Sequence, residues 1–137
     1  VSDQLNILLV EDDEVDVMNV RRAFRKNHVA NPVYVASDGI EALEKLRNGE
    51  VPKQRRLILL DLNMPRMNGI EFLRELRRDP DLCTTAVVVL TTSKDEQDVC
   101  DAYSLNVAGY LVKPVTFTDF CEKMAALNKF WSLVELP

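Results

Sequence analysis

Short aliphatic runs recur along the chain, and each stops at polar residues. Leu5-Asn6-Ile7-Leu8-Leu9-Val10 stops at Glu11-Asp12-Asp13, and Leu57-Ile58-Leu59-Leu60 stops at Asp61. Ala86-Val87-Val88-Val89-Leu90 runs into Thr91-Thr92-Ser93, and the short Gly109-Tyr110-Leu111-Val112 into Lys113-Pro114. Pro32-Val33-Tyr34-Val35-Ala36 completes a set of five. Runs this short, rich in Val, Leu and Ile, predict strands buried on both faces, as in parallel sheets.

Between the runs the apolar spacing changes to three and four. Val17, Val20 and Phe24 form one stripe; Ile40, Leu43 and Leu46 a second; Ile70, Leu73 and Leu76 a third. The last helix, from Thr116 to about Phe130, carries Phe117, Phe120, Met124, Leu127 and Trp131. Cap spacing marks the helix starts: Asp13 with Asp16, Asp38 with Glu41, Asn68 with Glu71 and Ser93 with Glu96. Asn48-Gly49 and Asp79-Pro80 mark two ends. Five strand-helix pairs predict an α/β fold, a flavodoxin-like doubly wound five-stranded parallel sheet with helices on both faces. Residues 1–137 read as a single domain, with a short C-terminal extension over about 131–137.

Composition narrows the class. The chain has 137 residues, 47% hydrophobic and 28% charged, enough for one domain with a real core. A net charge of -5 argues against nucleic acid or an anionic membrane as partner. Cys83, Cys100 and Cys121 are odd in number and form no CxxC pair, so we expect reduced thiols and a cytoplasmic setting. No apolar run reaches membrane-spanning length, and no signal-peptide pattern opens the chain.

The candidate chemistry lies at the strand ends. In a parallel sheet Glu11, Asp12, Asp61, Thr91 and Lys113 share one edge, and in the order 2-1-3-4-5 the first and third strands flank the topological switch point. Carboxylates crowded there repel unless a cation joins them, and hard oxygen donors in an incomplete cage suit Mg²⁺. A carboxylate nucleophile beside Mg²⁺ suggests an aspartyl phosphate, with Lys113 and the Thr91 hydroxyl stabilising its oxygens. Taken singly, each residue has a plainer reading. Asp61 would be a turn residue, Thr91 a β-former, Lys113 a solvated lysine, Tyr110 a core aromatic and His28 a surface residue near a helix end. Their shared edge is what joins Asp61, Thr91 and Lys113.

The segments Val10-Glu11-Asp12-Asp13, Leu59 to Gly69 (LLDLNMPRMNG), Leu90-Thr91-Thr92 and Gly109 to Pro114 (GYLVKP) together resemble a response-regulator receiver domain, over nearly the whole chain and in order. The resemblance implies Asp61 as phosphoacceptor and Asp12 as direct Mg²⁺ ligand. Glu11 would be the acidic partner reaching the ion through water, and Asn63 would offer its backbone carbonyl. It implies Thr91, with Thr92 beside it, as switch hydroxyl, Lys113 as phosphate-binding lysine, Tyr110 as the aromatic that reports activation, and a cis Lys113-Pro114 bond. The protein would be a phosphoacceptor that assists its own Mg²⁺-dependent chemistry, not an enzyme in the ordinary sense, with a histidine kinase as partner. Glu14 to Phe24 and Phe130-Trp131-Ser132-Leu133 resemble, more finely, the small single-domain regulators paired with bacterial and cyanobacterial phytochrome kinases.

Three rivals remain. A haloacid-dehalogenase-type phosphatase would want an acid two residues after its nucleophile, where this chain has Asn63. A flavin-binding protein of this fold class would want a phosphate-binding loop rich in Ser, Thr and Gly after the first strand. A receiver-shaped module that never takes phosphate has Asp12, Asp61, Thr91 and Lys113 against it. Beyond the stripe of the last helix, Cys121, Ala125 and Phe130, then Val134 and Leu136 in the tail, add apolar surplus that either folds back as core or forms a self-association surface, with Phe120, Phe130 and Trp131 as the candidate dimer residues. The resemblance favours a homodimer through the fourth helix, fifth strand, fifth helix and tail.

Overall fold

The structure is a computed structural model that describes residues 5–137. Strands β1 (Asn6–Val10), β2 (Val33–Ala36), β3 (Arg56–Leu60), β4 (Ala86–Thr91) and β5 (Gly109–Val112) alternate with helices α1 (Glu14–Lys26), α2 (Gly39–Arg47), α3 (Gly69–Arg78), α4 (Glu96–Ser104) and α5 (Phe117–Trp131). The strands form one parallel sheet, as the strand-helix alternation predicts, and their order β2-β1-β3-β4-β5 is that of the flavodoxin-like class. Val10 pairs with Leu60 across the centre, so Glu11 and Asp61 emerge side by side at the carboxyl edge.

The side-chain period of a strand divides the core in two. Ile58 and Leu60 of β3 face Leu43 and Leu46 of α2 and Phe72, Leu73 and Leu76 of α3. Leu57 and Leu59 face the other way, onto Val20 and Phe24 of α1 and Phe120 and Met124 of α5. Every residue of β3 is buried, which explains a run without polar alternation.

The helix starts follow the cap chemistry, with one correction. Asp13, Asp38 and Asn68 each accept from backbone N–H groups in the first turn, and Asn68 and Glu71 form a reciprocal capping box. At α4 the cap is Asp95, which accepts from the Gln97 N–H, and not the expected Ser93. The Ser93 hydroxyl instead donates to Asp98 at 2.6 Å and accepts from the Asp95 N–H. Two acceptors compete for one helix start, and the carboxylate nearer the first turn caps it.

Three further expectations are corrected. Ile40 is 36% exposed, and Ala42 takes the inward place beside Leu43 and Leu46. Arg56 opens β3 ahead of the aliphatic run and is buried, its guanidinium donating to the Val51 and Pro52 carbonyls. No peptide bond among the described residues is cis, so Lys113–Pro114 is trans. The two forms of an X–Pro bond differ by only about 0.5–1 kcal/mol, so local sequence does not select between them. Here the ladder continues to Lys113, whose N–H donates to the Thr91 carbonyl at 2.8 Å.

Finally, Phe120 and Trp131 lie inside the chain's own core and are not surface residues; Trp131 is 4% exposed. α5 packs on α1, and Val134 and Leu136 of the tail close over the same cluster. Most of the surplus apolarity therefore serves the core, leaving Phe130 at 52% and Leu133 at 76% exposed. No described helix is long and apolar enough to cross a membrane.

Candidate functional site

The ends of four strands, β1, β3, β4 and β5, and the loops after β3 and β4 build the site. The carboxyl groups of Glu11, Asp12 and Asp61 each offer an oxygen, and these oxygens lie within 4.8 Å of one another. Backbone pairing fixes this: the Asp61 N–H donates to the Val10 carbonyl at 3.0 Å, and the Glu11 N–H to Ala36 at 2.9 Å. Glu11 and Asp61 are buried, while Asp12 is exposed at the mouth. The donors are hard carboxylate oxygens from three side chains, too few to complete a coordination shell alone. That set fits a divalent cation that retains other oxygen ligands.

Lys113 enters from the end of β5. Its ammonium donates to Glu11 Oε1 at 2.5 Å and to Asp16 Oδ2 at 2.8 Å, and its side chain is 11% exposed. Burial pushes the Glu11 carboxyl up to about 7, because Lys113 only partly offsets the loss of water and the Asp61 charge adds to it. For Lys113, burial acts to lower the pKa, but the bonds to Asp16 and Glu11 outweigh it and hold the ammonium above its usual range. The site thus keeps its cation and resists gathering all its negative charge without a counter-ion.

Thr91 ends β4 fully buried, and its hydroxyl oxygen accepts from the Ser93 N–H at 3.4 Å. Thr92 beside it is exposed. The Tyr110 hydroxyl donates to the Ser93 carbonyl at 3.0 Å, tying the aromatic to the loop after β4. Burial raises the Tyr110 pKa. Asn63 is exposed in the loop after β3, two residues beyond Asp61. That loop is fastened at its far end: the Gly39 N–H donates to the Met67 carbonyl at 3.2 Å, and Arg66 pairs with Asp38 at 2.6 Å. Burial would raise the Asp38 pKa, yet the Glu41 N–H and Arg66 more than compensate and hold it below the usual carboxylate range.

The structure therefore brings Glu11, Asp12, Asp61, Thr91 and Lys113 to one edge, with Asn63, Thr92 and Tyr110 around it. Sequence reasoning missed Asp16 as a partner of Lys113, having given it only a helix-start role. Its position five residues after Glu11 puts it in the first turn beside the acidic pair, but the contact spans 97 residues of sequence. It also missed Ser93 as the acceptor for Tyr110, since the acceptor is a main-chain oxygen that carries no side-chain signal.

Comparison with known proteins agrees with this geometry. The response regulator receiver domain matches residues 7–125. The response regulator Rcp1 of Synechocystis sp. is 38% identical, over 100% of this chain and 99% of its own length. The crystal structure of the phosphorylated cyanobacterial phytochrome response regulator RcpA superposes with a TM-score of 0.87 at 37% identity, covering 98% of this chain and 99% of that one. The Mn²⁺-bound form of Rcp1 superposes with a TM-score of 0.83 at 38% identity, over 96% and 97% of the two chains. A family match across most of the sheet and helices, with identity at this level end to end, leaves one assignment: the chain belongs to the family of response regulator receiver domains.

Proposed function

We propose that Asp61 accepts a phosphoryl group from the phosphohistidine of a partner kinase, and that the adduct switches a protein-interaction surface. The observation that carries this is the convergence of Glu11, Asp12 and Asp61 within 4.8 Å, beside a lysine already seated at the same edge. Asp61 Oδ attacks phosphorus, the new P–O bond forms as the P–N bond breaks, and the electron pair returns to the imidazole. Lys113 donates to a phosphoryl oxygen and Thr91 to another. Glu11, Asp12 and Asp61, with the Asn63 carbonyl, would hold Mg²⁺, which when bound neutralises charge on the transferring group. Asp61 is consumed in each cycle until hydrolysis restores it, so the protein acts as a stoichiometric phosphoacceptor and not as a turnover enzyme.

The switch follows from the hydrogen bonds around Thr91. Drawing its hydroxyl towards Asp61 releases the Ser93 N–H, and Tyr110 must release the Ser93 carbonyl to turn inward. Both bonds meet at Ser93, so the loop and the aromatic change together. The similarity to the phytochrome response regulator RcpA supports a phytochrome-type histidine kinase as donor, and free, unpaired cysteines fit a cytoplasmic setting. Self-association through α4, β5 and α5 rests on the exposed Tyr103, Val115, Phe130 and Leu133.

The test is the intact mass after incubation with Mg²⁺ and acetyl phosphate, with Asp61→Asn in parallel. One phosphoryl group in the wild type alone, lost when Mg²⁺ is removed, is expected. No adduct, and no binding of beryllofluoride, would leave a receiver-shaped interaction module.

A further inference from the structure

Lys113 is held by two carboxylates, and only one of them belongs to the acidic cluster. An ammonium has three N–H donors. One goes to Glu11 Oε1 at 2.5 Å and one to Asp16 Oδ2 at 2.8 Å, which leaves the third. Asp61 does not pair with Lys113 among the described residues. Asp16 lies on α1, outside the group formed by Glu11, Asp12 and Asp61, and its side chain is 33% exposed against 3% for Glu11.

We propose that Asp16 is a positioning residue for the phosphoryl site: it anchors Lys113 so that the third N–H is presented to a phosphoryl oxygen on Asp61. The inference rests on Asp61 being the phosphoacceptor. Its physical reason is competition for Glu11. A divalent cation among the three carboxylates draws on the charge of Glu11 and repels the ammonium beside it. Asp16 takes no part in that cluster, so it remains the carboxylate dedicated to Lys113. A lysine side chain has four rotatable bonds and goes wherever its charge is best satisfied. Without Asp16, a nearly buried ammonium facing a divalent cation would swing out along α1 towards solvent. With it, the nitrogen stays seated and no existing bond must break when phosphate arrives.

The sequence position is consistent with this role. Asp16 is in the first turn of α1, where the helix N-terminus favours a carboxylate. Asp13 already caps that helix through the Val15 and Asp16 N–H groups, so the Asp16 side chain is not needed as the cap.

The experiment is a double-mutant cycle on the intact chain, read as beryllofluoride affinity at saturating Mg²⁺, with Mn²⁺ affinity measured separately by calorimetry. Asp16→Asn is expected to weaken beryllofluoride binding about tenfold, the scale of one charge-assisted hydrogen bond to a largely buried group. Asp16→Glu, which keeps the charge, is expected to recover most of that loss. Mn²⁺ affinity of Asp16→Asn should change by less than about threefold, since Asp16 is not among the clustered ligands. In a Lys113→Ala background, Asp16→Asn should have no further effect. A full effect in that background, an unchanged affinity in the single variant, or a tighter one would overturn the anchoring role; tighter binding would mean that Asp16 holds Lys113 back. Failure of the wild type itself to bind beryllofluoride would instead remove the reading of Asp61 as phosphoacceptor.

Discussion

Two glycines open α2 and α3 at the same helical position, and their surroundings predict opposite tolerance to alanine. A Cβ on Gly69 would lie 2.6 Å from the Asp61 carbonyl oxygen and 2.7 Å from Leu62 Cα. Both are main-chain atoms of the segment that carries the phosphoacceptor, pinned by the Gly69 N–H bond to the Leu62 carbonyl at 3.0 Å. Nothing flexible can give way, so the helix must move from the sheet by several tenths of an ångström. Overpacking of this kind costs about 1–3 kcal/mol, here near the upper end because main-chain atoms are the obstacle, and the better helix propensity of alanine returns up to about 1 kcal/mol, leaving a net loss of about 2 kcal/mol. A Cβ on Gly39 would meet Met67 Cγ at 2.7 Å and Sδ at 2.8 Å, the end of an adaptable side chain, with Phe72 Cβ at 3.0 Å. Gly69→Ala is therefore expected to lower the melting temperature by about 6–10 °C, and Gly39→Ala by less than about 3 °C, using about 3–5 °C per kcal/mol for a chain of this size. Thermal melts by circular dichroism compare the two, and Gly69→Ala should also weaken beryllofluoride binding because the strain falls on Asp61. A Gly69→Ala protein melting within about 2 °C of wild type, or a larger loss at Gly39, would refute the reasoning.

The raised Glu11 pKa sets a pH dependence with a definite sign. The unfolded chain releases this proton near 4.5 and the folded metal-free chain near 7. Between those values the folded form holds more protons, so stability falls as pH rises through that window and levels off above it. Divalent cation binding must displace the same proton, so Mn²⁺ affinity by calorimetry should rise about tenfold from pH 6 to its plateau near pH 8; Glu11→Gln should flatten that rise, and a flat wild-type profile would contradict the assignment. Arg77 donates to four main-chain carbonyls, of Leu105, Cys83, Thr85 and Asn106. Arg77→Ala should cost about 2–4 kcal/mol in urea unfolding, as those acceptors lose a charged partner together; a loss under about 0.5 kcal/mol would show that water replaces it. Trp131→Ala should destabilise by about 3–5 kcal/mol as a core truncation, whereas Phe130→Glu should leave the melting temperature within about 2 °C while lowering any dimer mass seen by light scattering. A stable Trp131→Ala protein with altered dimer mass would reverse those two roles.

How much of this was legible in the residues differs from element to element. β1 and β3 were plain because both faces of a central parallel strand are buried, which leaves an unbroken aliphatic run ending where the site begins. Asp13, Asp38 and Asn68 were readable as caps because a cap bonds within its own first turn, a contact that sequence spacing describes completely. Ile40 was misassigned because the choice of Ala42 for the core depends on a helix rotation of only a few tens of degrees, and Ser93 because two neighbouring acceptors can each cap the start of α4 and Asp95 lies nearer its first turn.

By itself the sequence determined the strand-helix alternation, the parallel sheet it demands and the set of polar residues at the carboxyl edge, since strand ends in a parallel sheet must share that edge. Tertiary structure alone decided what those residues touch. It paired Lys113 with Asp16 across 97 residues, took Trp131 and Phe120 into the core, buried Arg56 at the start of β3, and set Lys113–Pro114 trans. These outcomes turn on small differences between alternatives of similar local energy: which carboxylate an ammonium reaches, which face of an apolar helix meets α1, and which proline isomer fits. Local chemistry leaves such choices nearly balanced, and long-range packing breaks the tie.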